Sequence, residues 1–424
     1  MVNIKKIRIF MVIAVFHPYI GGAEKQAEKL ASELIKNNID ITMITGRWSN
    51  LLKEHEELNG IKIVRNLTNF IPGGKGGLNT KISVFQPSPS NNGSRIRSVK
   101  VFFRKIFVRS CVYFYQISLL FYLLKQRNSY DIIHVHQVLY PAFISTLVAR
   151  ILKKPVIAKV GSSGFNSDIH QIKKLPEGRF QLRYILNNLS RLVCTSSKMK
   201  EEFLREGIKK DKIVIIRNGV KTEDFKRSYK SYNDLVYLGR FIKSKDIITL
   251  ITAFAQIIKT NKDLRLTLIG DGPEKDNIIN TIERSELKDN IILTGMIDDP
   301  EEILRKSDIF IFPSLIEGLS NSLIEAMSSK LPCVVTNIPG NVEVIGDKDS
   351  GYDIQEGGFA ESKYGILFNP SDTEGLVGSI KYLFKDQGIR EKIGEGAYLR
   401  IRSEFDIERV ADRYISLYEE VRRQ

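Results

Sequence analysis

Cysteine, histidine and tryptophan are scarce in this chain of 424 residues, which holds three Cys, five His and one Trp. The cysteines, Cys111, Cys194 and Cys333, are odd in number and widely spaced, with no Cys-x-x-Cys and no neighbouring His pair. That excludes a disulfide framework and a zinc module, and no metal site is expected. The thiols are read as small buried apolar residues in a reducing compartment. No G-x-G-x-x-G follows a strand-like run, which disfavours a nicotinamide enzyme. The most apolar stretch has only fifteen uncharged residues, Ser110 to Leu124, short of the ~20 needed to cross a bilayer. The apolar run Ile9 to Phe16 meets Pro18, Tyr19, Gly21 and Gly22 instead of a small-residue cleavage site. It is read as a buried first strand and not an export signal, so a cytoplasmic location is expected.

What is present is a globular composition, 42% apolar and 27% charged, with charge divided unevenly. Residues 1–200 hold 31 Lys+Arg against 10 Asp+Glu, and residues 201–424 hold 33 against 39, giving +21 and −6 within a net +15. A basic first half suits nucleic acid, an anionic membrane face or a phosphorylated acceptor. Short β-branched runs alternate with segments of helical length: ITMIT, IKIV, DIIHVH, PVIAKV, RLVCTS and KIVIIRN, then LVYLGR, LRLTLIG, NIILTG, DIFIFPS, PCVVTN and GILF. This is the pattern of parallel sheets with crossover helices, and two such sets predict two Rossmann-like α/β domains facing across a cleft. The polar stretch Lys221–Asn233 is read as a linker between domains at 1–220 and 234–403, the cleft being the default binding site. Residues 71–99, rich in Gly, Pro, Ser and Asn, are read as a mobile loop. Residues 101–127 are read either as a helix buried against the first sheet or as a basic, aromatic helix lying on a membrane surface.

Several residues suit phosphate and sugar chemistry. Gly21 and Gly22 sit where the first strand turns into a helix, letting backbone N–H groups approach a phosphate. Arg240 and Lys245 follow the first strand of the second half and offer a planar fork and a point charge, with Lys243 a possible substitute. The strand Ile309–Phe312 leads into Glu317, Gly318 and Leu319. A helix is then expected to start at Ser320 or Asn321, with Glu325 inside it. His134 and His136 are expected to turn to opposite sides of their sheet, one in the core and the other near the strand's C-terminal end. Lys159 opens a Gly/Ser turn after a strand and meets either a donor phosphate, an acceptor or solvent.

The Glu317-x7-Glu325 pair within SDIFIFPS…EAM resembles glycosyltransferase family 4, the retaining nucleotide-sugar-dependent enzymes of GT-B fold. GGAE at 21–24, DIIHVH at 131–136, RNGV at 217–220, YLGRFIKSKD at 237–246 and LIGDGP at 268–273 resemble further signatures of that family, in its order. The chain departs from the pattern at Asp246, where the family usually has Gly, and at Val160, where many relatives carry His.

The resemblance implies metal-free, cofactor-free transfer of a sugar from a UDP- or GDP-linked donor. It makes His136, Glu317, Arg240 and Lys245 catalytic. Gly21, Gly22, Gly318, Leu319, Ser320 and Glu325 would bind the donor, with Lys159 on the acceptor side. It also implies that the final helix, within 404–424, packs back on the first domain. The acceptor is expected to be a saccharide or lipid-linked saccharide at the inner face of a membrane. An epimerase or phosphorylase on the same scaffold is the alternative, though no lysine motif for pyridoxal phosphate is present. A nucleic-acid partner is disfavoured because the aromatics sit in an apolar helix.

Overall fold

The computed structural model describes residues 6–18, 21–47, 51–66, 112–162, 167–175, 177–223, 227, 233–346 and 351–424. The loop 71–99 and all of 101–111, Cys111 included, lie outside the described residues, as does part of 221–233.

Two sheets form, one per half. The first takes β1 (Arg8–Val12), β2 (Asp40–Gly46), β3 (His55–Leu58), β4 (Ile61–Asn66), β5 (Ile132–His136), β6 (Val156–Lys159), β7 (Arg191–Cys194) and β8 (Ile213–Ile215), in the order β3-β4-β2-β1-β5-β6-β7-β8. The second takes β9 (Asp234–Leu238), β10 (Arg265–Ile269), β11 (Ile291–Gly295), β12 (Ile309–Phe312), β13 (Cys333–Thr336), β14 (Phe359–Ser362) and β15 (Gly365–Phe368), in the order β11-β10-β9-β12-β13-β15-β14. All pairings are parallel except the edge pairs β3–β4 and β14–β15. Central strands such as β5, β12, β13 and β15 are buried at every position, because helices cover both faces. The strand order reverses between β1 and β5 and again between β9 and β12. Each reversal opens a crevice at the strands' carboxyl ends, so the molecule is two Rossmann-like lobes facing across a cleft.

Cys194 and Cys333 are free, fully buried and packed in the two lobes' cores. Helix Gln387–Glu404 packs in the second lobe, and the chain then crosses back through the bridge between Val220 and Asp406. Helix Ile407–Arg423 lays Val410, Ala411, Tyr414, Leu417, Tyr418 and Val421 into the first lobe's core beside Leu30 and Leu34. Its apolar face repeats at helical spacing, so the returning segment is held by burial. Helix residues 112–125 bury Tyr115, Leu119 and Leu123 in the first lobe, while Phe114, Ile117 and Phe121 remain exposed on the opposite side. Among the described residues no helix is long and apolar enough to cross a membrane.

Candidate functional site

Strand ends at the two order reversals bring the chemistry together. β1 runs toward Gly21, the N-cap residue of helix Gly22–Lys36, whose extended backbone offers no side-chain cap to the helix's first N–H groups. A Cβ at Gly21 would collide with the Glu24 carboxylate. β5 ends on His136 and β6 on Lys159, which are register partners and therefore project side by side. Across the cleft, the turn after β9 supplies Lys245 and the loop after β12 supplies Glu317, Gly318 and Leu319. Between these walls lies a cavity of about 480 Å³, lined by Gly22, His136, Lys159, Lys245, Glu317, Gly318 and Leu319 among others.

Lys245 and Glu317 form an ion pair with side chains only 15% and 11% exposed. The Lys245 ammonium also lies 4.8 Å from the centre of the Phe312 ring, where the ring face attracts a cation. Asp246, at the position where glycine is usual, adopts φ 48° and ψ 43°. Asp is among the few residues with a side chain that enter this left-handed region readily, and Ser371 donates a hydrogen bond to its carboxylate at 2.9 Å. The turn is therefore kept without glycine. Gly340 backs the Glu317 loop so closely that a Cβ there would stand 2.6 Å from the Glu317 Cβ and carbonyl oxygen.

Other sequence-selected residues stand apart. Arg240 and Lys243 are exposed and do not line the cavity. Ser320 is the N-cap residue of helix Asn321–Ser328, but its hydroxyl turns to Asn341 Oδ1 at 2.6 Å, leaving the first helical N–H groups without a side-chain cap. Glu325 faces a second cavity between the lobes and pairs with Lys29 at 2.9 Å.

His134 and His136 do not turn to opposite sides. Their rings are 4.6 Å apart, because the strand repeat of two residues places i and i+2 on one face. His134 Nδ1 meets the Tyr418 hydroxyl of the returning helix at 2.7 Å, and both histidine Nε2 atoms are buried without a hydrogen-bond partner. Burial, then the Lys159 charge, pushes His134 down to about 3. Burial, His134 and Lys159 push His136 well below its ordinary value.

Both rings are thus neutral when folded and basic when unfolded. The stability they contribute is complete above pH ~6.5 and is lost as pH falls from there toward the folded values, by about 1.4 kcal/mol per pH unit for each ring. Urea midpoints at pH 7.5, 6.0 and 5.0 are expected to fall steadily. His134→Gln, which keeps an acceptor for Tyr418, is expected to remove about one histidine's share of that slope.

Asp168 was not legible as a site residue. Its buried carboxylate accepts hydrogen bonds from Val138 N at 2.7 Å, Gly161 N at 2.9 Å, and Ser162 N and Oγ, both at 3.1 Å. It ties together the loops that follow β5 and β6. Burial raises its carboxyl above the ordinary range against the lowering effect of these donors. Arg217 and Asn218 join the lobes, and Gly219 fastens their turn to the first lobe's helix Gly22–Lys36. Arg217 pairs with Glu343 and Glu404, Asn218 Nδ2 donates to Asn321 Oδ1, and Gly219 N donates to Gln26 Oε1. The RNGV turn is a visible signal for these three and the helix start for Asn321, whereas Gln26 and Glu343 carry none. Among the described residues no cluster of His, Cys, Asp and Glu is placed to hold a metal.

Residues 220–400 match the family model described as glycosyl transferases group 1, and residues 20–224 that of glycosyltransferase family 4. The chain is 26% identical over 310 residues to N-acetyl-alpha-D-glucosaminyl L-malate synthase of Bacillus anthracis, covering 70% of this chain and 77% of that one. It is 29% identical over 252 residues to UDP-Gal:alpha-D-GlcNAc-diphosphoundecaprenol alpha-1,3-galactosyltransferase of Escherichia coli, covering 55% of this chain and 65% of the other. In fold it is similar to Anabaena HepE, solved in complex with UDP and glucose, with a TM-score of 0.70 at 16% identity and 98% and 100% of the two chains covered.

Proposed function

From the premise that this chain belongs to glycosyltransferase family 4 and has its GT-B fold, we propose that it moves a sugar from a UDP- or GDP-linked donor to a saccharide or lipid-linked saccharide with retention at the anomeric carbon. The observation that carries this reading is the convergence of His136 and Lys159 with Lys245 and Glu317 on one cavity between the lobes. The lobe at 234–403 binds the nucleotide sugar, the lobe at 1–220 the acceptor, 221–233 links them, and the helix within 404–424 fastens the two together.

The bond from the anomeric carbon to the donor phosphate breaks, and the acceptor oxygen bonds to that carbon on the same face. The acceptor proton passes to the leaving phosphate oxygen. Negative charge builds on the diphosphate, so fixed positive donors lower the barrier. Lys245 supplies one, Arg240 a second once its exposed side chain swings onto the bound donor, and the free N–H groups at Gly21–Gly22 and Ser320 supply dipoles. Glu317, held by Lys245, orients the donor sugar with Gly318 and Leu319, and His136 holds its hydroxyls from the opposite wall. Glu325 takes the ribose once it releases Lys29.

We place the enzyme on the inner face of a membrane, in surface polysaccharide or glycolipid synthesis. The net +21 of residues 1–200 and the exposed stripe of Phe114, Ile117 and Phe121 support that placement. A donor screen that follows nucleotide release, with the anomeric proton coupling of the product read by NMR, tests the reaction. Release of UDP or GDP with a product of the donor's own anomeric configuration is expected. An inverted product, or release that needs no acceptor, would overturn it.

A further inference from the structure

The first lobe's wall of the cleft carries a cation that has no counter-ion among the described residues. Lys159 is only 6% exposed and lines the cavity. Among the described residues it makes no ion pair and donates no side-chain hydrogen bond. The charged side chains lining the cavity are Lys159, Lys245 and Glu317, and Glu317 is already paired with Lys245. Desolvation of an unpaired ammonium opposes folding, and here it pulls Lys159 down to about 8. Beside Lys159 stands His136, whose Nε2 is buried and unpartnered. The neighbouring backbone donors are already engaged, since Gly161 N and Ser162 N both give their hydrogen bonds to Asp168. The lysine ammonium is therefore the charged donor this loop holds toward an incoming group. Lys159 also lies two strands from β1 and its glycine turn, with β5 and His136 between them.

We propose that Lys159, with His136 beside it, receives an anionic group of the acceptor, a phosphate, diphosphate or carboxylate close to the attacking hydroxyl. This deepens the glycosyltransferase reading and rests on it: the donor diphosphate belongs to Lys245 and the helix N-termini, and the acid held at Lys159 is a separate one. The charge of Lys159 then selects acidic acceptors over neutral ones and sets the hydroxyl against the anomeric carbon.

Calorimetry on the full chain saturated with UDP or GDP, titrated with inorganic pyrophosphate and separately with L-malate, tests it. The parent is expected to bind at least one of these anions. Lys159→Met is expected to weaken that binding tenfold or more, and Lys159→Arg to retain most of it. Lys159→Met should leave nucleotide affinity unchanged and melt no lower than the parent, since it removes a buried unpaired charge.

Loss of nucleotide affinity in Lys159→Met would assign the lysine to the donor phosphates and overturn the proposal. So would anion binding insensitive to the substitution, absence of anion binding in the parent, or a marked fall in its melting temperature. A selective loss for UDP-glucuronate over UDP-glucose would place the anion on the donor sugar and overturn the acceptor assignment. A parent that binds neither UDP nor GDP would instead sink the nucleotide-sugar reading itself.

Discussion

Lys245→Ala is expected to lower kcat for sugar transfer about 10²- to 10³-fold, equivalent to about 3–4 kcal/mol of transition-state stabilisation. The lysine sits in the turn that follows β9, largely buried, where its charge is less screened than at the surface. It holds the Glu317 carboxylate, and in the proposed reaction it also faces the leaving diphosphate. Removing it strands a carboxylate only 11% exposed, so the variant should also lose stability. The two effects separate in the double variant Lys245→Met with Glu317→Gln. Neutralising both partners removes the stranded charge and should return the thermal midpoint toward the parent, while turnover stays low. The single variants are expected to combine non-additively in kcat, because the pair works as one unit. Full turnover in Lys245→Ala would mean that the second lobe's cation does not stabilise the departing diphosphate.

Asp168→Ala is expected to cost the first lobe about 3 kcal/mol or more. Three backbone N–H groups and one hydroxyl converge on this carboxylate, and each donor left buried without a partner costs about 1–3 kcal/mol, less where water enters. The loss falls on the loops that directly follow His136 and Lys159, so activity should decline along with stability. Native-state hydrogen exchange gives the direct reading: protection at Val138, Gly161 and Ser162 should drop by two or more orders of magnitude, while β9 and β12 keep theirs. Asp168→Asn should lie between, since its amide group can accept through one oxygen only. Unchanged exchange at those three amides would show that Asp168 does not hold the loops.

The lobes were legible because parallel strands buried on both faces leave continuous apolar runs, and every run singled out in the sequence is a strand or holds one. The edge strands β3 and β14 were not, since HEEL and FAES are polar segments that pair antiparallel at sheet margins and bury little. Glycines at 21 and 22, the Lys245 turn and the Glu317 loop were visible as local punctuation after strands. The histidine pair shows the opposite case: its spacing was plain, and the strand repeat alone places both rings on one face.

Local pattern thus determined the strands, the crossover helices, the glycine turns and the chemical types available at their ends. Tertiary structure alone decided which of those groups meet. Tyr418 bonds to His134 across 284 positions, Glu325 turns to Lys29 across 296, Asp168 gathers two loops, and Lys159 is enclosed with no carboxylate paired to it among the described residues. Periodicity is set by a residue's near neighbours, whereas pairing and burial depend on segments that chain folding brings together from far along the sequence, and no local spacing encodes them.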